Sequence, residues 1–175
     1  MIPEHGQLIA DLVKSFVGCS LDDRRAELGQ LVCRDVDDPE QAVQWTTNCG
    51  TFALGIWHAA GVQHALLDTP YKVEKAIAWI LSIAHSLRAV RYPRRDGPPS
   101  MGSLMHYWLS DGKGTKSHHV EFCLEIPDMV TWVSNHAGGG RPRNLIGLGH
   151  SDIRWNAGRP LQCWYDVSAL FEVHQ

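Results

Sequence analysis

The sequence lacks any pair of closely spaced cysteines. Its 175 residues include five cysteines, an odd number, and these are widely separated along the chain. Disulfide-stapled domains use an even framework of cysteines and closed zinc sites use tight ligand pairs, so the sequence favours neither class. Scattered thiols are typical of a protein made in a reducing compartment. The five are Cys19, Cys33, Cys49, Cys123 and Cys163.

Long apolar runs and an excess of one charge sign are also missing. No stretch approaches the roughly 20 apolar residues that span a bilayer. The N-terminal segment MIPEHGQLIADLVKSF carries acids early and does not have the pattern of a secretory signal. The net charge of −3 comes from scattered residues of both signs, without a nucleic-acid footprint. We therefore expect cytoplasmic synthesis, no membrane span and no nucleic-acid partner.

Signatures of metal and nucleotide chemistry are absent as well. The chain has no HExxH, no G-x-S-x-G, no P-loop and no dinucleotide fingerprint. His106, His118, His119 and Cys123 could be read as metal ligands, but their spacing matches no motif with two ligands on one helical face. We therefore expect no metal and no cofactor.

The chain does have enough apolar residues for one core, since 44% of it is hydrophobic and its length is that of one domain. Helical periodicity comes first and alternating, strand-like segments follow. This order predicts an α+β fold, with N-terminal helices packed on one side of a small antiparallel sheet. The expected helices cover 6–18, 49–61 and 71–90, and the expected strands 104–109, 119–126, 129–135, 144–149 and 161–167.

The segment TTNCGTFALGIWHAAG places Cys49 at the start of a helix. Asn48 is a good N-cap, so Cys49 falls in the first turn. There the unpaired amides and the helix dipole stabilise a thiolate and could cradle a developing oxyanion. We interpret Gly50 as leaving space beside the sulfur for a substrate, and Gly61 as the helix stop. Position alone does not separate a nucleophile from a core cysteine.

A nucleophilic thiol needs a base, normally a histidine held by a third polar group. SHHVEFCLE offers His118 and His119, and TWVSNHAGGG offers Asn135 and His136. Strand alternation puts His119 on the face of Glu121, while His118 shares the apolar face. His118 would be the base if that apolar face packs on the nucleophile helix. Asn135 and His136 point to opposite faces if their strand runs that far.

Cysteine on a helix, histidine on a strand and a polar residue on the next strand form an order that resembles the papain-like amidases and peptidases of the NlpC-like and CHAP (cysteine- and histidine-dependent amidohydrolase/peptidase) families. The segments that carry it are NCGTFALGIWHAAGV, GSLMHYW, HVEFCLE and MVTWVSNHAGGG. The resemblance implies that Cys49 is the nucleophile, that His119 is the base because the family histidine directly precedes a valine, and that Asn135 orients the imidazole. An NlpC-like site could use His136 instead, and Gln44 is a further candidate as oxyanion donor.

The sequence departs from the family beside the nucleophile, where Asn48 replaces a frequent acid and Gly50 the usual serine. The resemblance implies one papain-like cysteine hydrolase domain over 1–175, with a helical part at 1–40, a catalytic core at 41–140 and C-terminal strands at 141–175. Its expected substrate is a peptide or peptidoglycan amide, reached outside the cell or in the periplasm after phage lysis or specialised export. The alternatives are transglutamination or deamidation by the same pair, and a catalytically idle binding module.

Overall fold

The protein folds as an antiparallel sheet with helices against it, so the predicted α+β class is confirmed. The computed structural model describes residues 4–18, 49–69, 75–110, 116–125, 131–136, 147–152 and 161–171. Its helices are α1 (Glu4–Lys14), α2 (Cys49–Ala59), α3 (Ala76–Ser86), α4 (Pro93–Asp96) and α5 (Val167–Phe171), with a 3-10 turn at Ala65–Leu67. Its strands are β1 (Val90–Arg91), β2 (Leu104–Ser110), β3 (Lys116–Glu125), β4 (Thr131–His136), β5 (Gly147–Asp152) and β6 (Leu161–Tyr165).

The sheet has six strands in the order β1-β6-β2-β3-β4-β5, and each neighbouring pair is antiparallel. β3 pairs with β2 from Ser110↔Lys116 to Leu104↔Phe122. Its pairing with β4 is confined to its far end, near Cys123↔Ser134. Within the described residues, the first half of β3, which carries both candidate histidines, is therefore hydrogen-bonded on one side by β2 alone.

Helix α2 lies at the centre of the core. Every residue from Cys49 to Trp57 is buried, as expected of a helix that is apolar on all sides. The helix ends at Gly61, which has φ +86°. There the Gly61 N–H donates to the His58 carbonyl and the Val62 N–H to the Trp57 carbonyl, which forms a Schellman cap. The predicted stop at Gly61 is thus confirmed.

Alternation along the strands divides the buried residues between the two faces of the sheet. Val120, Phe122 and Leu124 of β3 join the large core cluster that also contains buried residues of α1, α2 and α3. The opposite face carries a smaller cluster of Met105, Tyr107, Cys123 and Trp164.

The predicted helix over 71–90 is shorter in the structure, where α3 ends at Ser86. Arg88 adopts φ 53°, and the Ala89 N–H donates back to the Ala84 carbonyl, which closes the helix. Val90 then pairs with Tyr165 as part of β1. A short strand and the single turn α4 thus occupy a region predicted to be helix end and loop. Residues 70–74, and residues 126–130 between the predicted strands 119–126 and 129–135, lie outside the described residues.

The interpretation of Gly50 as space for a substrate is wrong. A Cβ atom at Gly50 would lie 2.7 Å from Ile77 Cγ1 and 2.8 Å from the Ile77 backbone nitrogen. Gly50 is glycine because the first turn of α2 packs directly against the first turn of α3.

We expect Gly50→Ala to destabilise the protein by about 1–3 kcal/mol, because the added methyl group must push α2 away from α3 backbone atoms. Chemical denaturation would measure the change, with Ala59→Ser on the exposed end of the same helix as the control. A variant as stable as the wild type would show that the two helices do not approach this closely.

Candidate active site

Three polar side chains meet where the start of α2 approaches β3. His119 is buried, and its Nε2 lies 2.9 Å from Glu121 Oε1. The Cys49 thiol is also hydrogen-bonded to the His119 ring. The chain Cys49–His119–Glu121 has the connectivity of a nucleophile, a base and an orienting carboxylate.

The electrostatics of this chain favour a charged imidazole. Burial lowers the pKa of His119, but its interactions with Cys49 and the hydrogen bond that it donates to the Glu121 carboxylate outweigh burial and raise the pKa to about 9. At neutral pH the ring is therefore an imidazolium. Such a ring stabilises a thiolate beside it and can later donate a proton.

His118, the alternative base, lies in different surroundings. Its side chain is exposed, and its Nδ1 is 2.7 Å from His106 Nε2. Its ring lies against that of Trp108, with centroids 4.2 Å apart and the two planes tilted by 38°. The structure thus brings His119, and not His118, to the cysteine.

The apolar face of β3 packs on the helices. From the sequence, His118 was expected to be the base in that case. Val120 and Phe122 share one core cluster with Phe52 of α2. Cys49 nevertheless bonds His119, whose side chain alternates with those of the apolar face of β3. Cys49 is the first residue of its helix. The end of a helix is placed by the helix's length and tilt, not by the apolar stripe that it buries.

Asn135 and His136 were the candidates for the orienting residue. Their backbones lie in β4, where they pair with Leu148 and Gly147 of β5. Their side chains, like all of Gln44 and Asn48, lie outside the described part of the structure, so these assignments stay predictions. The partner that the structure gives to His119 Nε2 is Glu121.

Glu121 is the site residue that the sequence reasoning missed. Its signal was present, because a His-x-Glu spacing on a strand puts both side chains on one face. A glutamate in the middle of an apolar strand is also unusual, since buried carboxylates need a partner. The resemblance to the family placed the orienting residue on the next strand, β4, instead.

A second cysteine–histidine pair serves as a comparison within the same molecule. Cys163 Sγ lies 3.7 Å from His106 Nδ1, and both residues are buried. Burial raises the pKa of Cys163, and burial together with the charges of His118, His85 and His119 lowers the pKa of His106 to about 4. Both partners are therefore neutral at pH 7. The two pairs differ in the carboxylate: Glu121 bonds His119, whereas the described partners of the His106 ring nitrogens are His118 and Cys163.

Metal ligation is not evident in the part of the chain that the structure describes, where no group of three or more His, Cys, Asp or Glu side chains could hold an ion. Among the same residues, no helix is both long and apolar enough to cross a bilayer.

Comparison of the chain with protein-family models, with curated proteins and with solved structures finds no match.

Proposed function

We propose that the protein is a papain-like thiol hydrolase that cleaves amide bonds. The observation that carries the proposal is the buried chain from Cys49 through His119 to Glu121, in which the imidazole holds a proton at neutral pH. A cysteine kept only for packing needs neither a charged histidine beside it nor a buried carboxylate behind that histidine.

The reaction begins with attack of the Cys49 thiolate on the carbonyl carbon of the amide. A carbon–sulfur bond forms, and negative charge develops on the carbonyl oxygen beside the start of α2, where the positive end of the helix dipole stabilises it. As the carbon–nitrogen bond breaks, the His119 imidazolium donates its proton to the leaving amine. The neutral ring then takes a proton from water, whose oxygen attacks the thioester and releases a carboxylic acid and Cys49.

Peptide amides are the substrate class, and the resemblance to NlpC-like and CHAP enzymes points to cell-wall peptides among them. Transfer of the same acyl group to an amine would be transglutamination. Comparing release of free acid with incorporation of an added amine separates the two reactions.

Selective alkylation tests the reactive pair without requiring the substrate. At pH 6 we expect iodoacetamide to modify Cys49 about 100-fold faster than an ordinary thiol, of which only a fraction of a percent is ionised at that pH. Peptide mapping by mass spectrometry would identify the modified residue. Cys123, whose pKa burial raises to about 12, provides the unreactive comparison. Slow, uniform labelling of all cysteines would overturn the proposal and favour an idle binding module.

A further inference from the structure

On the face of the sheet that carries His119 and Glu121, strand β2 places two large side chains beside them. Tyr107 lies directly opposite His119 in the β2–β3 register, and Met105 lies directly opposite Glu121. The side chains of opposite residues share a face, with Cβ atoms about 4.5–5.5 Å apart. All four side chains are buried, and none is more than 5% exposed. The bond between His119 and Glu121 therefore runs along β3 beside a row of two buried β2 side chains.

The Tyr107 ring closes this row into a wall. Its hydroxyl donates to Met105 Sδ at 3.3 Å. Residues two apart on a strand are about 7 Å apart, so the ring leans along β2 from its position beside His119 toward the position beside Glu121. Both β2 residues share an apolar cluster with Cys123, which follows Glu121 on the same face of β3. The carboxylate thus has apolar neighbours across the sheet and farther along its own strand.

The pair of His119 and Glu121 depends on such a wall because water competes for both partners. Water that reached the carboxylate would donate to it in place of the imidazole, and the higher dielectric would weaken their attraction. The raised pKa of His119 rests on these interactions and would return toward its ordinary value if the pair were exposed. Titratable groups face His119 from three elements, Cys49 on α2, Glu121 on β3 and Tyr107 on β2.

We propose that Tyr107 is a positioning residue of the active site. With Met105, its ring keeps water away from the bond between His119 and Glu121 on the β2 side, so that Glu121 holds the imidazole that bonds Cys49. The inference rests on the proposed function, because only a reactive cysteine needs a fixed and charged imidazole beside it.

The test measures the rate of Cys49 alkylation by iodoacetamide on the full chain as a function of pH. Tyr107→Leu keeps the site apolar but is too short to reach Met105, so water gains access to Glu121. We expect the rate at pH 6 to fall by about 10-fold and its rise to move to higher pH, because a weaker pair stabilises the thiolate less and one pKa unit is a factor of ten. Tyr107→Phe keeps the ring, so its rate should stay within about twofold of the wild type.

The matched control is Leu161→Ala. Leu161 packs against the same apolar cluster and pairs with Tyr107 from β6, on the side away from His119. This variant should lower the urea midpoint and leave the pH profile unchanged. Equal shifts in Tyr107→Leu and Leu161→Ala would overturn the inference, because loosening of the cluster would explain both. An unshifted profile in Tyr107→Leu would also overturn it, as would an equal loss in Tyr107→Phe, which would assign the effect to the hydroxyl.

A spectroscopic measurement on the wild type decides the matter if Tyr107→Leu does not fold. With isotope-labelled histidine, the His119 ring N–H that donates to Glu121 should give a resolved proton resonance near neutral pH, because its exchange with water is slow behind the wall. His119→Gln assigns the resonance by removing it. A signal averaged with that of water would overturn the inference. Absence of selective Cys49 alkylation in the wild type would instead refute the proposed hydrolase.

Discussion

Replacing Cys49 by alanine is expected to abolish amide hydrolysis, with a loss of turnover on the order of 10⁴–10⁶-fold. The loss is large because the thiolate supplies the covalent route itself, and the imidazolium of His119 cannot substitute for it. Release of new amino groups from purified sacculi would measure the activity. Cys49 is small and makes up a minor part of the core cluster, so the fold should persist.

The matched control for this experiment is Cys123→Ala, which removes a buried thiol from β3 that bonds only weakly to the Glu125 carbonyl, at 3.8 Å. It should keep nearly full activity. Hydrolysis that survives Cys49→Ala would refute the thiol mechanism. Loss of activity in both variants, accompanied by a lower melting temperature, would instead indicate that the assay reports on folding.

Removing the Glu121 carboxylate is expected to be the most damaging change to stability. Glu121→Ala leaves His119 buried without its carboxylate, and breaking a buried ion pair in this way costs about 3–5 kcal/mol. Glu121→Gln keeps the shape and a hydrogen-bond acceptor but not the charge, so it should be milder and should lower the pKa of His119. Because Glu121 acts through His119, it is a positioning residue, and the pH profile of Cys49 alkylation is the measurement that shows it.

The sign of the pH dependence follows from the raised pKa of His119. The folded protein holds this proton more tightly than the unfolded chain, whose histidine titrates near 6.5. The stabilisation is therefore complete below about pH 6.5 and is lost as the pH rises through about 9. The contribution of His119 to the free energy of unfolding is at most about 3 kcal/mol. We expect urea midpoints of the wild type to fall across this range.

Glu121→Gln should flatten the decline in stability. It should also move the rise of the Cys49 alkylation rate to higher pH, because a less basic His119 stabilises the thiolate less. His64→Gln is a suitable control, because His64 caps a 3-10 turn through Leu66 N–H and lies on a separate loop. A wild-type stability that stays constant from pH 6.5 to 9 would contradict the assigned imidazolium. An unchanged alkylation profile in Glu121→Gln would contradict the positioning role.

Much of the fold was accessible from the sequence because its signals are local. The apolar, glycine-terminated pattern after Asn48 predicted α2, and alternation predicted the strands at 104–109 and 119–126 within a few residues. The pairing of β1 with β6 was not accessible. Val90 and Arg91 are too few to show a period, and their partner strand begins some seventy residues later in the chain.

For the candidate site, the amino-acid sequence by itself determined that a cysteine opens a helix and that His119 and Glu121 share one face of a strand. Periodicity is a property of one element and is independent of what packs on it. Only the tertiary structure decided which histidine meets the cysteine and that Glu121 supports it, because the position of a helix end over a sheet depends on how the two elements cross. The same crossing brought the glycine after the nucleophile against α3 instead of leaving it open to a substrate.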